Sequence, residues 1–221
     1  MRIFSVAGIG VLVFGGTLGL LGQTTPPPAP GSDAQVLPPR AAPADYQAQG
    51  KAGTLGIGAE FKGHSVPLET GTLKSEEYII VEVGLFGGTD GRVKISTEDF
   101  SLRVNGKKSA LPSQPYGLVV KSLKDPEWEP PASAKNKSKT SMGSSGGGQG
   151  EPADAPPPKM PFEMVRAMQL RVQKASLPEG DRTLPVAGFV YFPYRGKAEG
   201  IKSLELIYEG AAGQATLTLE P

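Results

Sequence analysis

The chain has 221 residues, with 23 Lys and Arg against 22 Asp and Glu, so its near-neutral charge gives no electrostatic footprint for nucleic acid or an anionic membrane. It has no cysteine, which excludes disulfides, thiolate metal sites, a Cys nucleophile and a lipid-modified N-terminal Cys. The 30 glycines and 22 prolines break helices and favour turns, so the composition points to short strands joined by loops.

The N-terminus couples Arg2 to an apolar run from Ile3 to Leu21 and turns polar at Gln23. This is the pattern of a Sec-type export signal, residues 1–23, with a periplasmic or secreted destination. The run approaches the ~20 residues that span a bilayer, so the alternative is an uncleaved anchor, and membrane association is expected only in that case. From Thr24 to Gly50, Pro and Ala dominate and a disordered linker is expected. Residues 51–221 are expected to form a single domain.

Within that domain the apolar, β-branched run Tyr78-Ile79-Ile80-Val81-Glu82-Val83-Gly84-Leu85-Phe86 predicts a central strand covered on both faces. Phe100, Leu102 and Val104 alternate with polar residues and run into Asn105-Gly106, a hairpin signal that predicts a return strand over Lys107 to Ala110. Weaker alternation suggests strands at Leu55 to Phe61, Arg92 to Ser96 and Gly117 to Lys121. From Pro130 to Lys159 the only large apolar residue is Met142, and a long disordered loop insertion is expected. Met160 to Lys174 opens with Pro161 and an acid and closes with cations, which predicts a short amphipathic helix with Phe162, Val165, Met168, Val172 and Ala175 as its apolar stripe. Strands around Val186 to Phe192, Leu204 to Tyr208 and Ala215 to Leu219 close the chain. The sum is a mainly β fold: an Ig-like two-sheet antiparallel sandwich of about seven to nine strands with one short helix. The final segment is too small to hold a core alone, so both sides of the insertion are expected to share one.

The stretches YIIVEVGLF, DFSLRVNGKK, LPEGDRTLPVAGFVYFPY and SLELIYEG resemble the secreted immunoglobulin-like, telokin-like modules of DUF4352 type. The resemblance covers most of Lys74 to Tyr208 apart from the insertion and implies a sandwich fold. Here Gly87-Gly88-Thr89-Asp90 stands where that family has an Asn-rich turn, and the helix and loop are additional. The chain is also similar to exported proteins of environmental bacteria that carry the stretches SQPYGLV and KSLKDPEW.

Gly143-Ser144-Ser145-Gly146-Gly147 fits the G-x-S-x-G pattern of a hydrolase nucleophile elbow. An elbow needs a strand before the serine and a helix after it, and the polar and Gly-rich flanks supply neither. The single histidine, His64, precedes Ser145 rather than following it, and one imidazole cannot build a His-based zinc site. Asp90, Glu98 and Asp99 lack the spacing of a Ca²⁺ loop, and Asn105-Gly106-Lys107-Lys108-Ser109 lacks that of a P-loop. Asn136-Lys137-Ser138 is formally a glycosylation sequon. No catalytic, cofactor-binding or metal-ligating residue is therefore assigned. Trp128, among charges and prolines, is either an interface anchor or a packing residue, and Tyr191 and Tyr194 carry the same ambiguity. The expected function is a non-catalytic, exported protein-interaction module with an unspecified protein or envelope partner. The alternatives are a structural envelope protein held by an uncleaved N-terminal helix, or an unrecognised hydrolase, of which the Ser145 elbow would be one version.

Overall fold

The computed structural model describes residues 37–69, 71–87, 91–125, 128 and 160–221. In chain order its strands are β1 (Ala48–Ala52), β2 (Leu55–Phe61), β3 (Ser65–Leu68), β4 (Gly71–Ser75), β5 (Tyr78–Phe86), β6 (Arg92–Ile95), β7 (Phe100–Val104), β8 (Leu111–Pro112) and β9 (Leu123–Lys124), then β10 (Gly180–Thr183), β11 (Val186–Pro193), β12 (Leu204–Gly210) and β13 (Gly213–Leu219). Helix α1 is Tyr116–Val119 and α2 is Phe162–Ala175. Two antiparallel sheets, ordered β1-β2-β5-β11 and β13-β12-β7-β8, face each other as a sandwich of eight strands. A two-stranded ribbon, β10-β6, and a three-stranded one, β3-β4-β9, add to it. Strands before and after residues 130–159 pair in both sheets, β5 with β11 and β7 with β12.

Alternation sends Ile79, Val81, Val83 and Leu85 of β5 into the core between the two sheets, where they meet Phe100, Leu102, Leu204 and Leu206. Ile80 of β5 and Phe189 and Tyr191 of β11 point the other way, under Met168, Val172 and Ala175 of α2 and under Val66, Leu73 and Leu123 of the three-stranded ribbon. This second core covers Ile80, while Tyr46 covers Gly84 and Arg40 and Lys62 cover Glu82, so all the interior residues of β5 are buried on both faces. Burying a large aliphatic or aromatic side chain contributes about 1.5–3 kcal/mol, so the small helix is a substantial part of the fold.

Several sequence expectations shift. The linker expected to run to residue 50 is ordered from Leu37: Pro43–Asp45 form a 3-10 turn, Tyr46 is buried and β1 pairs with β2. Glycine makes this packing feasible, because a Cβ on Gly58 or Gly84 would fall 2.4 or 2.3 Å from atoms of Tyr46. The stretch Gly117 to Lys121 is helical rather than extended, since Pro115 sets the first turn and the adjacent Val119 and Val120 are both buried, which a one-faced strand forbids. In α2, Phe162 is 74% exposed, because a helix places it about 120° from Met168 around the axis.

The hairpin at Asn105-Gly106 has the expected backbone, with φ of 54° and 63° at the two turn residues and Lys107 N–H donating to the Val104 carbonyl at 3.2 Å. Continued regularly, such a turn would set Leu102 opposite Ser109. Leu102 instead pairs with Leu111, and β8 is only two residues long. The two surplus residues loop out, so the return strand expected over Lys107 to Ala110 is absent and a rim stands in its place.

A candidate ligand cleft at one end of the sandwich

The sheets are bridged at one edge, where Gln114 N–H donates to the Tyr191 carbonyl at 2.8 Å. Beyond that bridge lies an open cleft of about 650 Å³. Val104, Lys107, Ser109 and Leu111 line it from the β7–β8 side, and Glu77, Tyr78, Pro193, Tyr194, Arg195 and Gly196 from the β5 and β11 side. Its volume falls within the ~300–1,000 Å³ of small-ligand sites.

His64 holds the second wall. Its Nδ1 lies 2.8 Å from the Tyr78 carbonyl oxygen and its Nε2 2.8 Å from that of Gly196, while its ring stacks with Tyr194 at 6.1 Å. Tyr194 N–H donates to the Glu77 carbonyl at 2.7 Å, and Arg195 donates to the Glu77 carboxylate at 3.0 Å. Both ring nitrogens of His64 thus face backbone acceptors, so the imidazole acts as a staple between the β2–β3 turn and the turn after β11. The Tyr194 ring lies against Gly196, where a Cβ would come within 2.5 Å of its hydroxyl. Gly196→Ala is expected to swing Tyr194 off His64, changing the ring NMR shifts of both residues and lowering unfolding stability in urea by about 1–2 kcal/mol. Unchanged ring shifts would contradict this packing.

Tyr191 is wholly buried, and its hydroxyl lies 3.1 Å from the Ser176 hydroxyl, which donates to the Val172 carbonyl at 2.7 Å. Burial pushes the Tyr191 phenol well above its ordinary value. It is therefore a core residue, whereas Tyr194 lines the cleft. Trp128 is half-buried, with its backbone N–H donating to the Asp125 carbonyl at 3.2 Å. Glu98 and Asp99 sit in a 3-10 turn capped by the Ser96 hydroxyl, and burial raises the Asp99 carboxyl. No group of three or more His, Asp or Glu suited to a metal ion exists among the described residues. Asp90, Asn136, Ser145 and the N-terminal apolar run lie outside the described residues.

A second polar assembly lies on the outer face of the β1-β2-β5-β11 sheet. Glu60 and Glu82 are cross-strand neighbours, and Glu82 is 6% exposed. Arg40 pairs with Glu60 and, at 3.2 Å, with Glu82; Lys62 reaches Glu60 at 2.5 Å and Glu82 at 3.0 Å. The Arg40 guanidinium also lies 4.4 Å from the centre of the Tyr46 ring. Partial burial would raise the Glu60 carboxyl, but hydrogen bonds from Lys62 and Arg40 hold it below the ordinary carboxylate value. Two cations neutralise two carboxylates here, which makes the assembly a clamp on the segment leading into β1.

Tyr194 and His64 stand out in the sequence, but the cleft that Tyr194 lines does not. The available signal was the spacing of Asn105-Gly106 from Leu111, too long for a regular hairpin. Comparison with protein-family models, curated protein sequences and solved structures finds no match.

Proposed function

We propose that the chain is a non-catalytic, exported protein-interaction module, Ig-like in kind, that binds its partner in the cleft between Lys107 and Tyr194. The observation that carries this reading is the wall formed by Tyr194, His64 and Gly196: an aromatic ring pre-positioned by stacking on an imidazole whose two nitrogens lie against the Tyr78 and Gly196 carbonyls. Preorganised aromatic groups lower the ordering cost of binding and are common interface anchors. The non-catalytic part is supported by His64, whose ring nitrogens are both directed at backbone carbonyls rather than at a nucleophile. Export is supported by Arg2 and the apolar run behind it.

Immobilised protein is expected to retain a discrete component from extracts of its native envelope, and Tyr194→Ala to abolish that retention. Equal retention by the variant would refute the cleft as the binding surface. The apolar run also favours a structural protein held by an uncleaved helix, and the two readings part at the mature N-terminus. Mass spectrometry is expected to find a chain that begins near Thr24; an intact Met1 would establish the anchor instead.

A further inference from the structure

We infer that the cleft takes an extended peptide carrying an acidic side chain, its backbone held at the one free carbonyl that ends the outer edge of β11; this rests on the cleft being the binding surface. The backbone of β11 carries the argument. Gly188, Val190 and Phe192 turn their peptide groups toward β5, and Phe189, Tyr191 and Pro193 turn theirs outward, as the alternation of an antiparallel ladder requires. The chain fills the outward positions at Phe189 and Tyr191 with its own segments: Leu177 N–H donates to the Phe189 carbonyl at 3.0 Å, and Gln114 N–H to that of Tyr191 at 2.8 Å. Both are single β-bridges made by segments that cross the edge.

The last outward carbonyl, that of Pro193, belongs to a residue lining the cleft, and no described group donates to it. Proline supplies no N–H, so this position offers an acceptor alone and asks an occupant for one backbone donor. An extended peptide provides that donor, and its alternate side chains would rest on Val104 and Leu111 across the cleft. The charges set the sign of the occupant. Arg195 is already paired with Glu77, whereas Lys107 has no ion pair among the described residues, so the lining carries one cation in excess. A carboxylate beside Lys107 completes the balance, and the exposed Ser109 on the same rim offers a hydroxyl to it.

The test uses the full mature chain and an array of blocked heptapeptides. Threonine alternates with one varied apolar residue, and the centre is Glu or Gln. The best-binding peptide is then titrated into isotope-labelled protein, with cellotetraose as an uncharged saccharide probe. Expected are amide shifts at Val104, Lys107, Ser109 and Arg195, and a Kd weakened about tenfold by the Glu-to-Gln peptide or by Lys107→Glu. Lys107 is exposed, so an otherwise unchanged spectrum verifies that the variant is folded. Equal affinity for Glu and Gln peptides would overturn the acidic specificity. Shifts of the same residues by cellotetraose but by no peptide would overturn the peptide while leaving the cleft as a binding surface. Silence toward both probes, with envelope retention still lost in Tyr194→Ala, overturns this inference alone; silence together with unchanged retention overturns the proposed function as well.

Discussion

Gly188→Ala is expected to lower unfolding stability by about 3 kcal/mol and to loosen α2 from the sheet. The added Cβ would fall 2.3 Å from the Leu177 backbone nitrogen, 2.4 Å from its Cα and 2.6 Å from the Ser176 carbonyl carbon. Side-chain ends can rotate away from such a clash, but backbone cannot without moving the connection that leaves α2. That connection is itself tied down: Leu177 N–H donates to the Phe189 carbonyl, and Ser176 reaches the buried Tyr191 hydroxyl. Displacing it breaks the edge bridge and opens the second core under Met168 and Val172. Gly200→Ala is the control, because nothing lies within 4 Å of its Cβ position, and a change within about 0.5 kcal/mol is expected. Urea unfolding of both variants checks the prediction, and equal stability of the two would contradict the packing of α2 against β11.

The second large effect is expected for Arg40→Ala, a loss of about 2–3 kcal/mol near neutral pH. Removing one partner of a buried ion pair strands the other, and here Glu60 and Glu82 would face each other across β2 and β5 with only Lys62 to balance them. The cation–π contact on Tyr46 is lost as well. The figure is set below that of a fully buried pair because Arg40 is about one-third exposed, at 31%. The same clamp gives the wild-type chain an acid dependence. The folded state holds the Glu60 carboxyl below its ordinary value of 4.5, so the stabilisation it supplies is complete above that pH and is lost as pH falls through the folded value. In Arg40→Ala one of the two cations that lower Glu60 is gone, and the acid-dependent loss is expected to shrink. Unfolding free energies of the two proteins measured across the acid range test both the size and the slope; parallel curves would contradict the clamp.

The strands with the plainest alternation or the longest apolar run, β5, β11, β12 and β13, were legible because their pattern is local. Their burial follows from which side chains point inward, and a short window of sequence carries that information. Strand β1 was not legible, since Ala-Gln-Gly-Lys-Ala offers no large apolar residue and is ordered by pairing with β2 and by Tyr46 packing beside it. Its hint lay elsewhere, in Gly58 and Gly84, whose place inside strands marks a close approach by another group. The chemistry of the Asn105-Gly106 turn was legible, but the register slip after it was not, because Leu111 is drawn to Leu102 by core packing rather than by the turn. The cleft depends on that slip and on the end of β11, segments distant in sequence, so only its individual residues could be noticed beforehand.

The proposed function requires that partner binding take place at this end of the sandwich. A photo-cross-linking amino acid placed at Ser109, on the exposed rim of the cleft, tests it in the native envelope. The control position is Ala211, exposed in the β12–β13 turn at the other end of the same sheet, where Gly210 pairs with Gly213. A single discrete adduct from Ser109 and none from Ala211 is the predicted result, and equal adducts from both positions, or an adduct from Ala211 alone, would contradict it.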